Sequence, residues 1–177
     1  MMQSPAPSWT ASLPVPIPEP LDCSPAFRLE PLGPVHNERD HVAWMTSIDH
    51  IHATAGFANG EWGTDTWPFP MSLAANLADL EMHADEFERG VAFAYSVIDP
   101  KTGDVIGCVY IDPTIDLDGD TDSDSDAVQV EPSDDAPAMM RCWVRATAAH
   151  LDEQLATAVT TWLRDTWKIN VRRPGRD

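Results

Sequence analysis

The stretch that most constrains this chain is residues 91–111, VAFAYSVIDPKTGDVIGCVYI, which reads as two strands joined by a tight turn. Val91, Phe93, Tyr95 and Val97 alternate onto one face of the first strand. Val105, Ile106, Val109, Tyr110 and Ile111 give its partner the expected β-branched and aromatic content. The residues between them are turn chemistry: Pro100 fixes φ, and Gly103 can take the positive φ that closes a hairpin. Gly107 interrupts the second strand and marks either a bulge or the close approach of another molecule to the backbone.

The segments on either side complete an order of elements. Residues 27–32, FRLEPL, alternate and stop at Pro31, as a first or edge strand does. Pro34 opens a helix in which His41, Trp44, Met45, Ile48, Ile51 and Ala55 recur at helical spacing, with Asn37, Glu38 and Asp40 suited to its first turn. Residues 56–71, GFANGEWGTDTWPFPM, have no periodicity and form an aromatic loop, of a length often tied to function. A second helix is capped by the Ser72 hydroxyl, carries Leu73, Leu77, Leu80, Ala84 and Phe87 on its apolar stripe, and ends at Gly90. After the hairpin, residues 138–144 read as a strand. A loop then leads to a helix near Leu151 that buries Leu151, Leu155, Ala158, Val159, Trp162 and Leu163, and residues 168–172, KINVR, form a last strand.

Two segments stand outside this pattern. Residues 1–25 are dense in Pro with Ser and Ala and read as a flexible tail, without the basic and continuous apolar regions of an export signal. Residues 112–137 combine like charge, small polar residues and Pro. Such a segment cannot order itself by burying apolar surface, so it reads as an acidic disordered insertion within a domain of residues 26–177.

Composition decides which functions stay open. With 177 residues and 43% hydrophobic content, the chain supports one core. The net charge of -18, with only 11 Lys and Arg, argues against a nucleic-acid partner, because phosphate binding needs clustered cations; it favours a cationic ligand such as an amine. No apolar run reaches the ~20 residues of a membrane-spanning helix, so no membrane partner is expected and a cytoplasmic location follows by default. Cys23, Cys108 and Cys142 form an odd, unpaired set and read as reduced thiols, the last two as small core residues. No metal is expected. His50 and His52 diverge on a helix, and His36 with Asp40 reads as a local hydrogen bond at a helix start. Residues 116–122, DLDGDTD, place their glycine too early for a calcium loop and lack its bidentate Glu.

Strand, two helices, hairpin, strand, long helix and terminal strand is an order that resembles the GCN5-related N-acetyltransferase superfamily. The wording is similar as well: FRLEPL before a helix, the paired strands FAYSVIDPKTGDVIGCVYI, WVR leading into LDEQLATAVTTWL, and the closing KINVR, covering roughly residues 27–173. The resemblance implies an α/β domain whose mixed, mostly antiparallel central sheet carries helices on both faces. It implies that residues 139–144 and 168–172 splay apart around the pantetheine arm of acetyl-coenzyme A. Trp143, Val144 and Arg145 would touch that arm through backbone groups, and Arg145, Ala146, Thr147, Ala148, Ala149 and His150 would face its pyrophosphate. The superfamily places a Gly-rich run there, and this loop has no glycine. Two readings stay open. The small residues still admit the pyrophosphate, with Arg145 or His150 adding positive charge, or the loop has lost the cofactor and the fold binds a ligand or another protein. Asp152, in the first turn of the next helix, would repel a pyrophosphate.

Acetyl transfer to a small amine-bearing acceptor needs a base for the amine, a hold on the oxyanion and an acid for the leaving thiolate. The Tyr that superfamily members often place after the fourth strand is missing, since Tyr95 and Tyr110 both lie in the hairpin; water or Cys142 remains as the acid. Asp112, Glu61 and Glu30 are the candidate bases, each also readable as an ordinary solvated carboxylate, with Asp112 best placed at a strand end. Trp62, Trp67 and Phe69 either line an acceptor pocket, where Trp faces beside acids attract amines, or cover the sheet edge as a minor core. Trp44, Trp143 and Trp162 fall on apolar stripes and read as core, and a homodimer stays open.

Overall fold

The hairpin stands at the centre of a six-stranded sheet whose strands lie side by side in chain order. The structure is a computed structural model, and it describes residues 22–23, 26–58, 67–113 and 138–176. Strands β1 (Asp22–Cys23), β2 (Phe27–Pro31), β3 (Phe93–Ile98), β4 (Val105–Pro113) and β5 (Ala138–Val144) pair antiparallel with their neighbours, and β6 (Val171–Arg172) joins β5 in parallel. A 3-10 turn (Pro34–His36), α1 (Asn37–Met45), α2 (Ile48–His52) and much of α3 (Leu73–Arg89) lie on one face. A second 3-10 turn (Ala146–Leu151) and α4 (Asp152–Trp162), prolonged by one π turn (Leu163–Trp167), lie on the other. The mixed sheet with helices on both faces is the expected fold class.

Local chemistry explains most boundaries. The Ser72 hydroxyl accepts from Ala75 N at 3.1 Å and starts α3, and Gly90, at φ 67°, ends it. Gly103, at φ 77°, closes the hairpin by donating to Asp99 O at 2.8 Å. At Gly107 the register between β3 and β4 slips so that Val97 faces Gly107 and Ile98 faces Val105, leaving Ile106 as the extra residue of a bulge. A Cβ on Gly107 would sit 2.2 Å from Trp143 O, so the backbone that approaches is this chain's own β5 and not that of another molecule.

Three expectations need correction. The helix expected from Pro34 through Ala55 begins as a 3-10 turn and breaks after Met45, where the Thr46 hydroxyl donates back to Val42 O at 2.7 Å; that side-chain bond competes with the helical ladder and bends it. The helix expected near Leu151 is preceded by the 3-10 turn. The last strand is two residues long: Lys168, at φ 61°, ends the π turn, and Ile169 is buried in the core beyond it. The proposed tail, the insertion beyond Pro113, the calcium-like run, Glu61 and Trp62 lie outside the described residues, apart from the two residues of β1.

The core divides at the sheet. Toward α4, Phe93 and Tyr95 of β3 pack with Trp162 and Trp167, and Phe87 near the end of α3 reaches the same cluster. Toward α1, Trp44, Phe57, Tyr110 and Trp143 form the second cluster, with Trp67 packed on its margin.

Candidate functional site

A cleft of about 490 Å³ opens between α1, α3 and β4, and the alternation of these elements decides what lines it. Strand period 2 turns Tyr110 and Cys108 toward α1, while helical period places Asp40 and Trp44 on one face of α1 and Asn76, Asp79 and His83 along α3. Trp67 and Phe69 close one side, Phe69 with 46% of its surface exposed. Trp67 stands 6.0 Å from Trp44 at 50° and 6.5 Å from Tyr110 at 78°, so the rings meet as inclined walls and do not stack.

Polar groups are organised behind these rings. Asn76 donates to Asp40 Oδ2 and to Asn37 Oδ1, each at 3.0 Å, and accepts from Trp44 Nε1 at 3.0 Å; one amide thus fixes both an acid and an indole. Trp143 Nε1 donates to the Tyr110 hydroxyl at 3.4 Å. Asp40 is 4% exposed, and burial pushes its carboxyl above the usual range, opposed by the Asn76 hydrogen bond. Burial raises the Cys108 thiol and the Tyr110 hydroxyl in the same way. The expected His36–Asp40 hydrogen bond does not form. His36 Nδ1 accepts from Gly33 N at 3.2 Å, which leaves Nε2 as the donor to Glu30 Oε2 at 3.0 Å.

The candidate bases separate by environment. Glu30 is held by His36 and by Arg28 at 2.8 Å, and the His36 bond is the larger cause of its lowered pKa, which makes it a poor base. Asp112 lies at the end of β4 beside Arg141 Nη1 at 3.9 Å; burial pushes its carboxyl up to about 6 against the pull of Arg141. His83, which lines the cleft, and its partner Glu86 act on Asp112 electrostatically, but Asp112 itself is not among the residues that line the cleft. Cys142 is fully buried toward α4, and burial pushes its thiol up to about 12; a thiol shut from solvent and held so high is a poor proton donor.

The loop after β5 forms one wall of a separate groove of about 350 Å³. Arg145, Thr147 and His150 face Lys101, Asp99 and Asp104 of the hairpin turn across it, and Arg145 Nε is buried without a partner among the described residues. Several loop N–H groups are committed. Arg145 N donates to Ile106 O at 2.8 Å, Ala146 N to Ser47 Oγ at 3.0 Å and Ala148 N to Arg145 O at 2.8 Å. Ala149 closes the series by accepting from Asp152 N. Trp143 and Val144 are fully buried, their side chains turned to opposite faces of the sheet.

Pairing between β5 and β6 stops at Met139 and Arg172. The next residues, 173–176, turn across the edge of β5, with Arg176 N donating to Arg173 O at 2.8 Å. Gly175, at φ 75°, packs so closely that a Cβ there would come 3.1 Å from Ala55 Cβ. Arg176 grips Asp152 through both guanidinium nitrogens, at 2.8 and 2.9 Å, and reaches Glu153 at 3.5 Å. β6 ends with its pairing to β5, so the expected divergence of residues 139–144 and 168–172 is not seen within the strands, and the chain's own residues 173–176 stand beyond β6 where the opening was expected.

Asp40, Asn76, His83 and Arg176 were not among the residues singled out for chemistry. Asp40 carried a usable signal, since it lies four positions before Trp44 on the inward stripe of α1, where an acid is out of place. Among the described residues no group of three or more His, Cys, Asp or Glu could hold a metal, and no helix is long and apolar enough to cross a membrane.

No protein-family model and no curated protein matches this sequence. Among the solved structures that it resembles, two have TM-scores above 0.5. RimL, a ribosomal L7/L12 alpha-N-protein acetyltransferase in an apo crystal form, is 15% identical with a TM-score of 0.52, over 82% of this chain and 64% of that one. A ribosomal-protein-S5-alanine acetyltransferase from Vibrio fischeri is 10% identical with a TM-score of 0.53, over 83% of this chain and 68% of that one. This chain thus spans less than two-thirds of the RimL chain. The likeness shows the fold of the GCN5-related N-acetyltransferases that the element order resembles.

Proposed function

We propose that this domain transfers an acetyl group from acetyl-coenzyme A to the amine of a small acceptor seated in the aromatic cleft. Fold alone does not fix a reaction, so the reading must rest on the site. One observation carries it. Residues 143–150 reach from behind the cleft, where Trp143 packs 6.1 Å from Trp67, to the groove that Arg145 and His150 line. The unpartnered Arg145 Nε is the kind of group that an incoming phosphate satisfies, and Lys101 and His150 stand on the same groove.

Acetyl-coenzyme A, when bound, supplies an activated thioester carbonyl. The residues of this chain do the rest. Arg145, Lys101 and His150 hold phosphate charge, and Trp67 and Phe69 exclude water from the acceptor. Asp112, whose pKa of about 6 leaves it mostly ionised at neutral pH, takes the proton that the acceptor nitrogen gives up as the N–C bond forms and the C–S bond breaks. The departing thiolate is protonated from water. For the pantetheine to lie along β5, residues 173–176 must swing away, which breaks the Arg176 contacts to Asp152 and Glu153.

A binding domain without turnover is the second reading, and a specific observation favours it: the N–H groups of Arg145, Ala146 and Ala148 are already committed, and Arg176 occupies the opening. Calorimetric titration with acetyl-coenzyme A, paired with thiol release over a panel of small amines, separates the two. Transfer requires saturable binding that Arg145→Glu weakens by about tenfold or more, and that Arg176→Ala strengthens by freeing the opening. If neither the wild type nor Arg176→Ala takes up the cofactor at millimolar concentration, the second reading stands.

A further inference from the structure

The cleft's chemistry specifies more than an amine in general. Its lining carries two acids, Asp40 and Asp79, and no Lys or Arg. Asp40 is 4% exposed, and the hydrogen bond it receives comes from a neutral amide. Among the described residues it has no ion pair; the basic groups that act on it do so from a distance and are histidines, His36 first and then His83 and His41. A carboxyl buried beside a cavity without a protein cation is held toward its neutral form, and a positive group entering the cavity is what stabilises it as a carboxylate. The rings that flank it are electron-rich: Trp44 and Tyr110 at the back and Trp67 at the side, inclined to one another and not stacked. Such rings attract a cation most strongly where water is excluded, and a compact organic ammonium satisfies rings and acid together.

We propose that the α1/α3 cleft is a binding site for an organic ammonium ion carrying an apolar group, with Asp40 as its counter-ion and Trp44, Trp67 and Tyr110 as its aromatic walls. The apolar part lies toward Leu32, Leu80 and Phe69, which line the same cavity. Asn76 is a positioning residue: its amide holds Asp40 Oδ2 and Trp44 Nε1 in fixed relation. The site also accepts a permanently methylated ammonium, which cannot itself be acetylated, because recognition depends on charge and shape and not on an N–H. This inference deepens the acceptor assignment above and rests on it for the identity of acceptor and cation; the binding itself needs no cofactor.

The test uses the full chain without acetyl-coenzyme A and follows tryptophan fluorescence and calorimetry with three probes: phenethylammonium, phenethyltrimethylammonium and the neutral 2-phenylethanol. Both cations should bind at least about tenfold more tightly than the alcohol. Asp40→Asn, which keeps the shape and the Asn76 hydrogen bond, should abolish that preference while leaving the alcohol's weak affinity unchanged; Trp67→Leu, at the cleft's side, should weaken both cations. Equal affinity for cation and alcohol, no binding of either cation at millimolar concentration, or full cation affinity in folded Asp40→Asn or Trp67→Leu would overturn the proposal. Cation binding without thiol release would sink only the transferase reading, and thiol release with amines that do not require Asp40 would sink only this one.

Discussion

Toward α4, Trp167 meets Phe93 at 5.1 Å and Trp162 at 5.3 Å, and Trp162 meets Tyr95 at 5.6 Å, all near edge to face. Toward α1, Trp67 stands 6.0 Å from Trp44 and 6.5 Å from Tyr110 around a cleft. The aromatic content of the two faces is similar, and their polar atoms differ. The closed face buries Tyr95 Oη and Trp167 Nε1 without partners among the described residues. The open face satisfies Trp44 Nε1 through Asn76 and Trp143 Nε1 through Tyr110. The contrast lies in the indoles: both fully buried tryptophans of the cleft face have their N–H groups held, and Trp167 of the other face does not, although Ser96 Oγ and His50 Nε2 on the cleft face also lack partners among the described residues.

Removing one ring from each face puts this contrast under the greatest load. Trp167→Ala should cost ~3–5 kcal/mol, the range for deleting a buried aromatic, whereas Trp67→Ala should cost ~1 kcal/mol and abolish cation binding. Denaturant melts of both variants check this, and equal losses would erase the distinction. Gly107→Ala tests the strand that separates the faces. Its Cβ would meet Trp143 O at 2.2 Å, so β4 and β5 must shift, at ~1–3 kcal/mol, with loss at both faces at once.

Asp112 gives a pH signature. Its carboxyl releases its proton near 3.8 when unfolded and near 6 when folded, so the native state binds the proton more tightly between those values. Stability should fall as pH rises from 4 to 6 and stay level above, by roughly 1–2 kcal/mol for a side chain that keeps some solvent contact. Asp112→Asn should remove that slope, and parallel stability curves for variant and wild type would show that the acid is not strained. The smallest effect has the opposite sign. Tyr95→Phe deletes a buried hydroxyl that has no partner among the described residues and should leave stability unchanged or raise it by up to ~1 kcal/mol; a loss would reveal a partner for that hydroxyl.

Legibility followed sequence distance. The hairpin, the Ser72 cap, the Gly90 stop and the Gly107 irregularity were readable because each is decided by residues a few positions apart. The continuous helix after Pro34 misread Thr46, whose hydroxyl turns back on Val42 O and ends α1, since periodicity reports which face is apolar and not whether the backbone stays intact. The cleft was half legible. Trp67 and Phe69 were named from the loop, but the acid they face comes from α1, and its partner Asn76 lies 36 positions further on. Arg176 and Asp152, 24 positions apart, meet only because β6 runs parallel to β5, and no local pattern encodes that contact.

The claim beneath these contrasts is that ligands enter on the α1/α3 face, and hydrogen exchange with and without saturating phenethylammonium tests it most directly. Protection should rise in Asn37–Met45 and in the first two turns of α3, with no change in α4. Protection confined to α4, or none anywhere at saturation, would contradict the account.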